Sequence, residues 1–93
     1  MSDIQTFRVI IAKDDEGTFT AQCLEYDIFA QGKNEEMVKN RFAKQIEFER
    51  QLSSEANGLD FDGIPPAPDC FHNMWEAAID IPDGDSTQYR MYG

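Results

Sequence analysis

Three side chains that commonly bind metal ions lie within four residues of one another in the second half of the chain. Asp69, Cys70 and His72 stand in the segment "DCFH", and His72 is the only histidine of the 93 residues. A closed structural zinc site needs four ligands, usually supplied as two separated pairs. The only other thiol, Cys23, falls on the apolar side of a predicted strand. We therefore expect no metal site and no cofactor.

A reactive thiol or a set of metal-binding carboxylates would be the other routes to catalysis. A buried cysteine usually packs as a small apolar residue, and Glu25 beside Cys23 would raise the thiol pKa, which disfavours a nucleophile. Asp14, Asp15 and Glu16 fall in a predicted turn, where acidic residues are common and solvated. Two-metal hydrolysis needs carboxylates that converge on a pair of ions. The sequence therefore predicts that the protein is not an enzyme.

An aromatic residue between two carboxylates is the strongest candidate for contact with another protein. Tyr26 stands between Glu25 and Asp27 at a predicted bend, in the stretch "AQCLEYDIFAQG". An exposed aromatic residue flanked by carboxylates suits a basic protein surface. The alternative is that the loop packs the ring of Tyr26 against its own sheet. Both interpretations stay open at the level of sequence.

The charge of the chain restricts the partners that it can bind. It carries 18 acidic and 8 basic residues, which gives a formal net charge of -10. Nucleic acid and anionic membranes repel such a surface, because affinity for nucleic acid comes mainly from Lys and Arg. Basic proteins are the expected partners, since opposite charge raises the encounter rate. The alternative is that the acidity only keeps the protein soluble.

The cysteine count and the absence of long apolar segments indicate the compartment. Two cysteines do not make a disulfide framework. The segment "MSDIQTFRV" lacks the basic start and apolar run of a signal peptide, and no apolar stretch approaches the ~20 residues that span a bilayer. We expect a cytoplasmic protein with reduced thiols.

The elements that position these residues follow from hydrophobic periodicity. "TFRVIIAK" and "TFTAQCL" predict two strands joined by the turn "DDEG" as an antiparallel hairpin, and "YDIFAQG" predicts a third, short strand. Residues 33–58 predict a helix, because Val38, Phe42 and Ile46 recur every four residues. Asn34 is its expected N-cap, and Gly58 its expected end.

The remaining third of the chain is predicted to contain a loop, a strand and a tail. Three prolines within "LDFDGIPPAPDCFHN" indicate a loop over residues 59–73. "MWEAAIDI" alternates and predicts a last strand, with Trp75 packed in the core against the helix. Residues 82–93 show no periodicity and are expected to form a flexible C-terminal tail, so the folded domain would span residues 1–81.

The expected fold class is therefore α+β. The order is strand, strand, strand, helix, strand, and the helix is predicted to cover one face of a small four-stranded mixed sheet. The helix would return the chain for a parallel pairing. The opposite face would be open and partly apolar, which makes it a candidate contact surface and favours pairing with another copy. The expected residues of this face are Arg8, Ile10, Thr20, Gln22, Glu76 and Asp80.

The ordered combination of these segments resembles the HicB-like antitoxin family. The resemblance lies in the first strand and acidic hairpin, in "CLEYDIFAQG" leading into a helix, and in the proline cluster of "GIPPAPDCFHNMWE". It covers residues 6 to about 79. It implies a partial RNase H-like fold without nuclease activity, in a protein that binds and blocks a small toxin that cleaves messenger RNA. It also implies a homo-oligomer, a dimer or tetramer.

The sequence also departs from that family. Many members carry a C-terminal DNA-binding segment, whereas only 12 residues follow Ile81. The helix reads "EEMVKNRFAKQI" and not the alanine- and leucine-rich pattern that is usual in the family. Two alternative hypotheses remain. One is an orphan oligomer of structural or regulatory role without a toxin, and the other is an acidic inhibitor, for example phage-borne, of a nucleic-acid-binding protein. The candidate partner-binding residues are Arg8, Ile10, Glu25, Tyr26, Asp27 and Glu76.

Overall fold

The protein folds as one five-stranded mixed sheet with a long helix and a short helix. The computed structural model describes residues 7–59, 61–81 and 87–92. In chain order the elements are β1 (Arg8–Lys13), β2 (Phe19–Cys23), β3 (Phe29–Gly32), α1 (Glu35–Asn57), α2 (Asp69–Ala77), β4 (Ile79–Ile81) and β5 (Gln88–Tyr92). The strand order across the sheet is β3-β2-β1-β5-β4. The expected α+β class is confirmed, with one strand more than predicted.

The first three strands form the antiparallel meander that the alternation predicts. β1 pairs with β2 and β2 pairs with β3, both antiparallel. Asp14 holds the hairpin turn, because its Oδ1 accepts hydrogen bonds from the backbone N–H groups of Glu16 and Thr18, each at 2.9 Å. Gly17 has φ of 88°, a left-handed conformation that glycine adopts without strain. The sequence thus determines this hairpin by local chemistry.

The long helix begins and ends at the predicted residues. The Oδ1 atom of Asn34 accepts the backbone N–H of Met37 at 2.8 Å, and Gly58 ends α1 with φ of 78°. Val38, Phe42 and Ile46 are buried against the sheet, where α1 contacts β3 and β2. Gly32 permits this close approach, because a Cβ atom there would lie 2.8 Å from the backbone N of Val38.

The prediction for residues 69–77 is wrong, whereas the predicted strand is confirmed at residues 79–81. A loop and a strand from Met74 were expected, but Asp69–Ala77 form the helix α2, and only Ile79–Ile81 form a strand. The apolar side chains explain the difference, because Trp75, Ala77 and Ile79 alternate as in a strand. Phe71, Met74 and Trp75 have the i, i+3, i+4 spacing of a helix. Trp75 packs with Ile10 and Leu24 on the sheet face opposite α1, and not in the core beneath α1.

The predicted flexible tail is wrong for residues 88–92. These residues form β5, which pairs parallel with β1 and antiparallel with β4. Tyr89 on this strand is buried in the main core. The parallel pairing that the helix was expected to permit therefore joins β1 and β5. Residues 82–86 and Gly93 of the predicted tail lie outside the described residues.

Two apolar clusters pack on opposite faces of the sheet. The larger cluster joins the sheet to α1 and to Phe61, and the smaller cluster joins the sheet to α2. Neither helix is long and apolar enough to cross a membrane, within the ranges that the structure describes. This second face was expected to be open, but α2 covers part of it.

Candidate functional site

Four of the six predicted contact residues come together at one end of the sheet. Arg8 lies at the start of β1, and Glu25, Tyr26 and Asp27 form the bend between β2 and β3. The backbone N–H of Leu24 donates to the carbonyl of Arg8 at 2.9 Å, which joins the bend to β1. The backbone N–H of Asp27 donates to the carbonyl of Pro65 at 2.7 Å, so the proline-rich segment lies against the same bend.

Glu25 is occupied by a contact within its own chain. Its Oε2 lies 2.5 Å from Nε of Arg8, and its Oε1 accepts the backbone N–H of Arg8 at 2.8 Å. The side chains of Arg8 and Glu25 are 42% and 26% exposed. A carboxylate that already accepts two hydrogen bonds from one residue holds the bend against β1. Its function in this structure is therefore to fix the position of the bend.

Tyr26 packs against its own domain, the alternative that the sequence left open. Its ring stacks on Phe61 with centroids 4.7 Å apart, and it meets Phe7 at 6.2 Å. Phe61 itself is buried and meets Phe7 edge-on at 5.6 Å. Tyr26 is half-buried, so the fully exposed aromatic residue that the sequence suggested does not occur there.

Asp27 is the carboxylate of this bend that stays exposed to solvent. Its Oδ1 accepts a hydrogen bond from Nε2 of Gln22 at 3.0 Å. Gln22 lies on the sheet face that α2 covers, and its amide also donates to the carbonyl of Cys23. Asp27 therefore points toward the α2 side of the molecule, where it adds to the negative charge of that surface.

The other two predicted contact residues lie apart from the bend. Ile10 is 1% exposed because α2 and Trp75 cover it, so its expected place on an open surface is wrong. Glu76 is exposed near the end of α2. The covering helix could have been found from the helical spacing of Phe71, Met74 and Trp75, which follows directly after Pro68.

The α2 side of the molecule carries an acidic surface, defined here as Asp27, Asp69, Glu76 and Asp80. All four residues are exposed. Asp80 pairs with Nε of Arg90 at 2.8 Å, and the guanidinium of Arg90 lies 4.3 Å from the ring centroid of Trp75. The cations of this side, Arg8 and Arg90, are thus each held by a carboxylate.

The exposed cations lie mostly on the other side of the molecule. Taken as whole residues, the exposed cationic residues of the described part of the chain are Lys13, Lys33, Arg41 and Lys44. Lys33 follows β3, and Arg41 and Lys44 belong to α1. The α2 side is therefore negative. The groove beside β3 is lined by the cations Arg41 and Lys44 and by no carboxylate of the described residues, and Glu36 and Glu47 are exposed elsewhere on α1.

Cys23 has the wrong environment for nucleophilic chemistry. It is fully buried, and burial raises the pKa of its thiol from 9.0 to about 11, with the nearby charge of Glu25 adding to the effect. Hydrogen bonds from the backbone N–H groups of Tyr26 and Glu25 lower the pKa, but by less. The thiol stays protonated near neutral pH, as expected for a residue that only packs.

The segment "DCFH" forms the first turn of α2. Cys70 is exposed and His72 is half-buried. Over the ranges 7–59, 61–81 and 87–92, no three His, Cys, Asp or Glu side chains are grouped so as to hold a metal ion.

A groove along the edge of the sheet was missed by the sequence analysis. It lies between β3 and α1, with a volume of about 530 Å³, and Phe29 and Phe48 on its walls are each 55% exposed. Arg41 and Lys44 also line it. The groove could have been predicted from Phe48, because this large apolar residue lies outside the four-residue repeat of Val38, Phe42 and Ile46 that marks the buried side of α1.

The exposed acidic surface on the α2 side and the groove beside β3 are the candidate contact surfaces of the described residues. Comparison with known proteins gives no further guide to their use, because no protein-family model, no curated protein and no solved structure matches this chain.

Proposed function

We propose that this protein is a non-catalytic binding protein of the HicB-like antitoxin type, which occludes a small basic RNA-cleaving toxin. The observation that carries the proposal is the separation of charge. The acidic surface on the α2 side presents Asp27, Asp69 and Glu76 to solvent, while the two arginines beside them are neutralised by Glu25 and Asp80. A protein that binds RNA presents cations, and such an acidic surface is complementary to them.

The order of elements also supports the proposal. A three-stranded meander, a long helix and a strand parallel to β1 agree with the fold that the resemblance implies. The contribution of Glu25 and Tyr26 to the proposed binding is to position Asp27. The pair of Glu25 with Arg8 and the stack of Tyr26 on Phe61 hold Asp27 at the margin of the acidic surface.

The mechanism is occlusion. The carboxylates of the acidic surface attract the cations with which the toxin holds RNA, and this long-range attraction raises the association rate. Contacts that form after docking set the residence time. No proton transfer or bond cleavage by this chain is needed.

The test is to purify the tagged protein from its native cells and to identify what remains bound at moderate salt. The expected result is a small basic protein that cleaves RNA once it is separated from this chain under denaturing conditions and refolded. Recovery of a basic nucleic-acid-binding protein without RNase activity would instead support an acidic inhibitor. RNA cleavage by the chain alone would contradict the proposal.

A further inference from the structure

The outer edge of β3 has backbone groups available for pairing with another strand. The backbone N–H of Cys23 donates to the carbonyl of Ile28 at 2.9 Å, so Ile28 faces β2. In an antiparallel pair these directions alternate along the strand. The N–H and C=O groups of Phe29 and Gln31 therefore point away from β2. Nη1 of Arg41 occupies one of them, the carbonyl of Gln31, at 3.0 Å.

The side chains at this edge are apolar and positive. Phe29 and Phe48 are both exposed in the groove beside β3, and Arg41 and Lys44 line the same groove. Exposed aromatic residues at the edge of a sheet favour association with another chain. An occupant of this edge needs apolar side chains, an extended backbone and negative charge.

The opposite edge of the same sheet has the complementary character. β4 is the other outer strand, and its sequence is Ile79-Asp80-Ile81. Ile79 is 74% exposed, and the exposed carboxylates of Asp80 and Glu76 lie on or next to this strand. The β3 edge thus carries exposed cations, whereas the carboxylates at the β4 edge are Glu76 and Asp80, of which Asp80 is paired with Arg90.

The directions of the two edge strands also match. β3 and β1 both run antiparallel to β2, β5 runs parallel to β1, and β4 runs antiparallel to β5. β4 therefore points opposite to β3. A second copy shifted along the sheet without being turned over would place its β4 antiparallel against β3 of the first copy, with both α1 helices on the same side.

A symmetric pairing of identical edges is disfavoured by charge. Two β3 edges would bring Arg41 and Lys44 against the same residues of the second copy, and two β4 edges would bring Asp80 against Asp80. Like charges that face each other across an interface oppose binding. Only the pairing of one edge with the opposite edge combines strand direction, apolar contact and charge.

We propose that copies of this chain associate head to tail, with β4 of one copy added antiparallel to β3 of the next. Ile79 of the incoming strand packs into the groove beside Phe48. The carbonyl of Gln31 then accepts a backbone N–H of the incoming strand. Arg41, which this carbonyl no longer binds, moves to a carboxylate of the incoming copy. Such a contact leaves one edge free at each end, so it closes as a ring or continues as a filament.

The test uses two variants that each lose one edge, Phe48→Ser at the groove and Ile79→Ser at β4. Sedimentation of the unaltered chain over a concentration series should show masses that grow beyond a dimer. Each variant alone should dissociate at least about tenfold more readily. An equimolar mixture of the two variants retains one intact contact per pair, so it should give a one-to-one dimer that does not grow.

The control is Leu59→Ser, an exposed apolar residue that belongs to neither edge. It should associate as the unaltered chain does, and all variants should keep the same circular dichroism spectrum. A chain that stays monomeric throughout the series would overturn the proposal. The same conclusion would follow if the mixed variants stayed monomeric, or if only one of the two substitutions weakened association.

Discussion

At the scale of single residues, the sequence located the important bend and misjudged what its side chains do. Glu25, Tyr26 and Asp27 form the expected bend, and the structure places Arg8 beside it, a contact that the sequence did not predict. Glu25 and Tyr26 are engaged within the chain, by the pair with Arg8 and the stack on Phe61. Arg8 is 17 positions from Glu25, and Phe61 is 35 positions from Tyr26. No local sequence pattern indicates contacts between residues so far apart.

Substitution of the two carboxylates of the bend should separate a structural role from an exposed one. Glu25→Ala leaves the backbone N–H of Arg8 without its acceptor and removes a half-exposed ion pair, so the free energy of unfolding should fall by about 1–2 kcal/mol. Asp27→Asn keeps an oxygen that can accept from Gln22, and its effect should stay within about 0.5 kcal/mol. Urea denaturation measures both, and equal losses would contradict the assignment.

The two thiols should differ strongly in reactivity. Cys70 is exposed, whereas Cys23 is buried and burial raises its pKa to about 11. Because the thiolate is the reactive form, a thiol reagent at pH 8 should label Cys70 at least about 100-fold faster than Cys23. The Cys70→Ser variant isolates the slow thiol, which should react rapidly only in denaturant. Rapid labelling of Cys23 in the folded chain would exclude its place in the core.

At the scale of elements, the sequence predicts what local chemistry determines. The hairpin has its Asp14 turn, and α1 has its Asn34 cap and Gly58 end, so both were recognised. α2 was missed because Trp75, Ala77 and Ile79 fit the spacing of a strand, while Phe71, Met74 and Ala78 fit that of a helix. β5 was missed because it is stabilised by its pairing with β1 and β4, and no local pattern indicates the pairing with the distant β1.

Substitution of Gly32, at the junction of β3 and α1, should lower the stability of the fold. The Gly32→Ala Cβ atom would lie 2.8 Å from the backbone N of Val38, so the start of α1 must shift. We expect a loss of about 1–3 kcal/mol in the free energy of unfolding, as for other overpacked sites. Gly58→Ala is the matched control, because its Cβ would meet open space and only the left-handed φ opposes it, at about 1 kcal/mol. A smaller effect at Gly32 than at Gly58 would contradict the close packing.

At the scale of the whole molecule, composition gave the net charge but not where the charge lies. The separation of a negative α2 side from the cation-lined groove beside β3 depends on which carboxylates are paired, and this is a property of the fold. Arg8 and Arg90 count as cations in the sequence, yet each lies against a carboxylate. The distribution of charge, more than its sum, supports the proposed docking of a basic partner.

Charge removal at two places should affect association with the proposed basic partner differently. The double variant Asp69→Asn, Glu76→Gln lies on the acidic surface, and it should lower the association rate constant by about three- to tenfold at low salt. The control, Glu36→Gln with Glu55→Gln, removes the same charge from exposed positions on α1. Stopped-flow binding at several salt concentrations measures both. Equal reductions would indicate that net charge alone governs the encounter.

The most direct test of the central claim is to titrate RNA cleavage by the co-purified basic protein with increasing amounts of this chain. An occluding partner should bring cleavage close to zero at equimolar ratio, and the chain alone should leave RNA intact. Undiminished cleavage in the presence of excess folded chain would contradict occlusion, and so would cleavage by the chain itself.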